Sequence, residues 1–267
     1  MTASAGGPSA TVGLIARDRQ LIGRTRQAAL ELGIDLHVLA VPSGLGDLIA
    51  SAARCDVVTF ESSALSAAHG EILQAAGITL RPGLRAAELA DNPATARHVF
   101  RECGFDVTPI SAIGAIDAPW PRRGNRATGR RSPPAVRWAG ELNVVIARRP
   151  SGFRVIYPVV DTGGGGRFHP YSPVLAASRA STVERAVKAA VSITDGIDAT
   201  GIITVEFVLD NEGRALVNSV QLGPHPRPQP ISDPANSSRF EDHLCAILDW
   251  PLRPPTIGTP ARTSFRA

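Results

Sequence analysis

Lysine is nearly absent from this chain: Lys188 stands alone among 28 Lys and Arg residues in 267 positions. That bears on chemistry, because a lysine ammonium is a common point charge on nucleotide phosphates, and arginine carries a different, planar geometry. Cysteine is scarce as well. Cys55, Cys103 and Cys245 have no metal-like spacing and form an odd set, which argues against a zinc motif or a disulfide framework. Each reads as a small buried hydrophobe. No apolar run approaches the ~20 residues of a membrane span. The opening MTASAGGPSATV lacks the basic and apolar regions of a signal peptide and reads as a flexible tail, so the expected setting is cytoplasmic.

What is present is a 43% hydrophobic chain, enough to bury a core in one large or two small domains. Its net charge of +4 is not a global field. Residues 121–137, PRRGNRATGRRSPPAVR, hold six arginines and no acid, and the remainder is slightly acidic. Residues 114–137 lack periodicity and read as a linker.

Before that linker, apolar runs alternate with helical patterns. Strands are expected at 10–16, 35–41 and 55–60, with a short fourth at ITLRP (78–82). Helices are expected at 19–33, in GDLIASAA, in HGEILQAAG and at 92–104, where Asn92-Pro93 supplies an N-cap and first-turn pair. This alternation implies a doubly wound parallel sheet. After the linker come a hairpin turning at Pro150-Ser151-Gly152 and a glycine run at Gly163–Gly166. A helix at 181–197 follows, with Ser181 as N-cap and Glu184 in its first turn. The runs ITVEFVL and RALVNSV flank an Asp-Asn-Glu-Gly turn, a second hairpin, and SSRFEDHLCAILDW closes the pattern as an amphipathic helix.

Five segments, in order, resemble the 5-(carboxyamino)imidazole ribonucleotide synthases, the PurK-type ATP-grasp ligases of purine biosynthesis. CDVVTFES resembles the family's CDVVTFEFENV. GITLRPGLRAAELADNPATARHVFRECGFDVTP, GELNVVIARRPSGFRVIYPVV, VEFVLDNEGRALVN with its following PHP, and SSRFEDHLCAILDWPL resemble its later passages. The resemblance implies an α/β chain: an N-terminal Rossmann-like (pre-ATP-grasp) parallel sheet joined to a reduced ATP-grasp α+β half. The division it implies is a flexible tail over 1–10, the Rossmann-like domain over 11–112, a Pro/Gly/Arg-rich linker over 113–137 in place of most of the ATP lid, the reduced ATP-grasp domain over 138–252, and a tail over 253–267 in place of the C-terminal domain.

It also implies cofactors and contacts. Relatives bind ATP and Mg²⁺ and carboxylate aminoimidazole ribonucleotide. Glu206, Asn218, Arg97 and Glu141 fall at nucleotide positions, with Glu206 also a metal ligand. Glu61, Gln20 and His225 fall at substrate positions. The implied partners are an aminoimidazole ribonucleotide-like small molecule and a second chain, either a homodimer or a heterodimer with an intact synthase. Neither a membrane nor a nucleic acid is an expected partner.

Several positions depart from the family pattern. Ser219 stands where a second metal carboxylate belongs, and Ser63 where a second strand-end glutamate belongs. Ala16-Arg17-Asp18-Arg19-Gln20 replaces a glycine-rich turn, Arg97 a lysine, and Gly223 an arginine. Between Val107 and Glu141 only about 30 residues remain for a lid of several strands and helices.

Three functions fit this balance. The first is a catalytically impaired relative that binds or assembles, the second a residual ligase with a reduced nucleotide site or altered substrate, and the third a polyanion binder using the Arg-rich segment. Each residue also has a plainer reading: Glu206 as a strand-face acid, His225 as a loop residue, Gly163–Gly166 as a connection and the arginines as a solvated linker. The first function is the expectation, because losing one group that stabilises transferring charge costs about a hundredfold to a thousandfold in rate.

Overall fold

A computed structural model of the protein describes residues 10–39, 45–61, 64–108, 140–161, 180–224 and 239–252. Its first half is a parallel sheet with helical crossovers. Strands β1 (Thr11–Ile15), β2 (Asp35–Val38) and β3 (Val57–Phe60) lie in the order β2-β1-β3. Val12 is set between Leu36 and Val57. Helices α1 (Arg19–Leu32), α2 (Leu45–Ala52), α3 (Ala67–Ala75), α4 (Leu84–Asp91) and α5 (Pro93–Glu102) complete this half.

Local chemistry explains the helix ends. Asp18 caps α1 by accepting from the amides of Gln20 and Leu21, and Gly33 closes it in the left-handed conformation, φ 69°. Asn92 caps α5 by accepting from the Thr95 amide, with Pro93 at the first helical position.

The second half is antiparallel. Strands β4 (Gly140–Arg148), β5 (Arg154–Ile156), β7 (Gly201–Leu209) and β8 (Ala215–Leu222) run in the order β5-β4-β7-β8, and β6 (Val160–Asp161) also pairs with β4. Helix α6 (Ala180–Gly196) covers one face. Its Ala186, Ala190 and Ile193 pack on Val144, Ile146, Val205 and Phe207, and Ala86, Leu89 and Phe100 of α4 and α5 join the same core.

Helix α7 (Arg239–Ile247) joins the halves. Phe240, Leu244 and Ile247 pack with Val12, Ala28 and Val57 beneath the parallel sheet. Ala246 packs with Val145, Ala147 and Ile202 on the antiparallel sheet. The buried Tyr157 hydroxyl donates to Asp242, and that burial beside a carboxylate pushes the phenol up from its ordinary range. Arg148, also buried, donates to Asp195, Asp198 and the Ala199 carbonyl, each at 3.0 Å, fastening β4 to the end of α6.

The fold class is the expected one, with local corrections. The fourth strand of the parallel sheet reduces to a single bridge, Val58 to Leu80. Helix α6 starts at Ala180, so Ser181 lies inside it and Glu184 pairs with Lys188 at 2.7 Å one turn later. Cys103 is exposed rather than buried, while Cys55 and Cys245 are half-buried. Helix α4 has no counterpart in the expected elements. The Arg-rich segment, Ser63, Gly163–Gly166 and His225 lie outside the described residues. Among the described residues, no helix is long and apolar enough to cross a membrane.

Candidate functional site

The ends of β1 and β3 meet at one backbone hydrogen bond, Glu61 N–H to the Ile15 carbonyl at 2.8 Å. That contact delivers the Glu61 side chain to the turn between β1 and α1. Its Oε2 accepts from the amides of Arg17 at 2.9 Å and Asp18 at 3.2 Å. Asp18 Oδ1 accepts from Gln20 at 2.7 Å and Leu21 at 3.3 Å. Four amides at the positive end of α1, a natural place for an anion, are therefore engaged by the protein's own carboxylates.

Beside this turn opens a cleft of about 310 Å³. Asp18 and Glu61 line one side, Asp91 at the end of α4 another, and Gln221, Gly223 and His243 the remainder. Partial burial pushes the Asp91 carboxyl up from its ordinary value. The cleft sits beyond the carboxyl ends of parallel strands, beside the central strand from which the sheet extends both ways, where open α/β sheets bind ligands.

His243 anchors the floor of the cleft and ties both sheets together. It is 3% exposed. Its Nδ1 accepts from the Ile202 amide at 3.1 Å, and its Nε2 lies 2.9 Å from the Thr59 hydroxyl. Because an amide can only donate, Nδ1 is the bare nitrogen, and the neutral ring carries its proton on Nε2 toward Thr59. Burial depresses its pKa to about 4. Gly201, at φ 96°, lets the ring approach: a Cβ there would lie 2.6 Å from its atoms.

Glu206 belongs to a different surface. It lies mid-strand in β7, with Asn143 opposite on β4 and Ser219 opposite on β8. The ladder then slips, because Phe207 pairs with Val217, and Asn218 becomes the extra residue of a bulge. The Ser219 hydroxyl donates to Glu206 Oε2, and Gln221 Nε2 donates to Oε1 at 2.7 Å. Nearby, Arg97, only 4% exposed, donates to the Thr108 hydroxyl at 3.2 Å, and that hydroxyl lies 3.4 Å from Asn218 Oδ1. Glu141 is exposed on β4, two residues from Asn143 and thus on the Glu206 face of the sheet.

The structure thus brings Arg97 close to Asn218 and sets Glu206 against Ser219. Glu61 stands apart from both, at the cleft. Gln20 is exposed in the first turn of α1 and is not part of the cleft wall.

Magnesium is held by one or two carboxylates together with substrate phosphates. The arrangement here does not fit such a site. Among the described residues, Glu206 has no carboxylate directly across from it, each of its oxygens accepts a hydrogen bond, and Ser219 offers a hydroxyl where a second carboxylate would stand. Among the described residues, no group of three or more His, Cys, Asp or Glu is arranged for a metal ion.

Asp18, Asp91, Gln221 and His243 had no part in the expected site. Asp18 carried a signal, an acid immediately before a helical run. His243 lay inside an amphipathic helix pattern with nothing to mark it.

Comparison with known proteins places these features in a family context. Residues 134–231 match the ATP-grasp domain model. The chain is 34% identical over 135 residues to "Phosphoribosylaminoimidazole carboxylase, chloroplastic" of Vigna aconitifolia, covering 49% of this chain and 24% of that protein. It is 29% identical over 172 residues to N5-carboxyaminoimidazole ribonucleotide synthase of Mycobacterium tuberculosis, covering 63% and 35%. These matches span about a quarter to a third of the relatives' lengths. The structure superposes on the N5-carboxyaminoimidazole ribonucleotide synthetase of Thermotoga maritima with a TM-score of 0.65 at 19% identity, over 92% of this chain and 78% of that one. The Aspergillus clavatus synthase, solved with ADP and aminoimidazole ribonucleotide, gives 0.64 at 18% identity over 92% and 78%. At such identities the structural likeness is one of fold.

Proposed function

We propose, from the ATP-grasp match over residues 134–231 and the likeness to N5-carboxyaminoimidazole ribonucleotide synthases, that this chain is a relative of those synthases that binds a small molecule related to aminoimidazole ribonucleotide in the Glu61 cleft without performing the magnesium- and ATP-dependent ligation. One observation carries the reading. Both oxygens of Glu206 accept from Ser219 and Gln221, side chains of the neighbouring strand. Each oxygen keeps a further lone pair, but among the described residues an incoming magnesium ion would meet a neutral hydroxyl at Ser219 where a second carboxylate would stand opposite Glu206. The cleft beside Glu61 draws its walls from the parallel sheet, α4, α7 and the end of β8, and shares only Gln221 with the surroundings of Glu206 among the described residues.

Isothermal titration with a non-hydrolysable ATP analogue and Mg²⁺, followed by aminoimidazole ribonucleotide, tests the proposal. The expected result is heat with the ribonucleotide and none with the ATP analogue. Nucleotide binding that disappears in Glu206→Ala, or ATP turnover dependent on bicarbonate and the ribonucleotide, would overturn the non-catalytic part.

A further inference from the structure

The walls of the cleft bear on the chemical class of its ligand, an inference that rests on the ligand-binding reading above. We propose that the cleft selects a neutral or cationic, hydroxyl- and amine-bearing molecule, a nucleoside rather than a nucleotide, and discriminates against a phosphate group.

Three features carry this. Asp18, Glu61 and Asp91 all face the cleft, and among its described walls there is neither lysine nor arginine. The adjoining hollow of about 370 Å³ shares Phe60 and Asp91 with the cleft, adds Glu88, and also has no cation in its described walls. The backbone amides that would otherwise receive a phosphate are spent: Arg17 and Asp18 donate to Glu61, and Gln20 and Leu21 donate to Asp18. A phosphate entering here would have to displace a tethered carboxylate and then sit beside it. Arginines of the same turn, Arg17 and Arg19, are exposed and do not line the cleft.

The cleft also offers groups suited to the opposite kind of ligand. Carboxylates accept from hydroxyls and amines, Gln221, whose Nε2 donates to Glu206, carries an amide oxygen that can also accept, and the apolar walls Leu14, Phe60 and Val220 suit a ring face. Like-charge opposition in such a site is enough to reverse the affinity order of two ligands differing only by a phosphate.

The test is calorimetric titration of the full chain with aminoimidazole ribonucleoside and with aminoimidazole ribonucleotide, at low and high salt. The nucleoside is expected to bind at least about tenfold more tightly, with the gap narrowing as salt screens the carboxylates. Asp91→Asn should narrow the gap without touching the α1 amides. Glu61→Gln should narrow it further and serves as a second variant if its fold is intact by circular dichroism. Equal or tighter binding of the ribonucleotide would overturn the selectivity while leaving ligand binding in place. No binding of either molecule would overturn both.

Discussion

Glu61 at the end of the parallel sheet and Glu206 on one face of the antiparallel sheet are held by different kinds of donor. Glu61 is gripped by main-chain amides of Arg17 and Asp18. Glu206 is gripped by the side chains of Ser219 and Gln221. Main-chain donors persist whatever residues occupy the turn, so the position of Glu61 follows from the fold. Side-chain donors change with a single substitution, so the chemistry open to Glu206 is decided at position 219. The two glutamates of one scaffold are therefore open to change in different ways.

Breaking the joint between the regions should have the largest effect. Gly201→Val would place a branched side chain at φ 96° and against the His243 ring. Strain and overpacking together should cost about 4 kcal/mol, read as a shift of the urea midpoint. An unchanged midpoint would mean that the two sheets are not coupled through this contact.

Acid should loosen the joint next. The pKa of His243 drops from 6.5 to about 4 on folding, so the unfolded chain takes up a proton between those values while the folded one does not. Stability is then full above pH 6.5 and declines as pH falls toward 4. The loss from this group is roughly 3 kcal/mol at 1.36 kcal/mol per unit. Comparing the pH dependence of unfolding with that of His243→Gln isolates the contribution, and identical slopes would refute it.

The two glutamates themselves should respond unequally. Glu61→Ala strands two amides at the helix start and should cost about 1–2 kcal/mol and the ligand affinity as well. Glu206→Ala should cost about 1 kcal/mol or less and, acting on the cleft only through Gln221, weaken binding there far less than Glu61→Ala does. A matching loss of affinity in both variants would erase the distinction between the regions.

Ser219→Asp should produce the smallest change. Two carboxylates would then face each other across β7 and β8, destabilising the pair by at most about 1 kcal/mol. Millimolar Mg²⁺ should restore the melting temperature and EDTA should abolish that recovery. Insensitivity to the ion would show that position 219 is not what blocks a metal site.

Much of the architecture was legible because it is written in neighbouring residues. Asp18 before an apolar-periodic run and Gly33 after it mark α1, and Asn92-Pro93 marks the start of α5. The Asp-Asn-Glu-Gly turn sets β7 against β8 through Asp210, whose carboxylate accepts from the Glu212 and Arg214 amides. Helix α4 escaped notice because its eight residues lie between Pro82-Gly83 and Asn92-Pro93, too short a window for periodicity to stand out. The ITLRP strand was overread, since an apolar β-branched run does not guarantee a partner, and one bridge to Val58 is all that formed.

By itself, the sequence determined the order and type of most elements, the two glutamates worth examining and the serine that sits opposite one of them. Only the tertiary structure decided what each glutamate touches. The amides bound by Glu61 lie 43 and 44 residues away, and the partner that holds His243 against the parallel sheet, Thr59, lies 184 residues away. Helix periodicity, caps and turns arise from interactions within a few residues, which a linear pattern records. A cleft and its charge arise when α7 packs two separate sheets together, and no local pattern encodes that meeting.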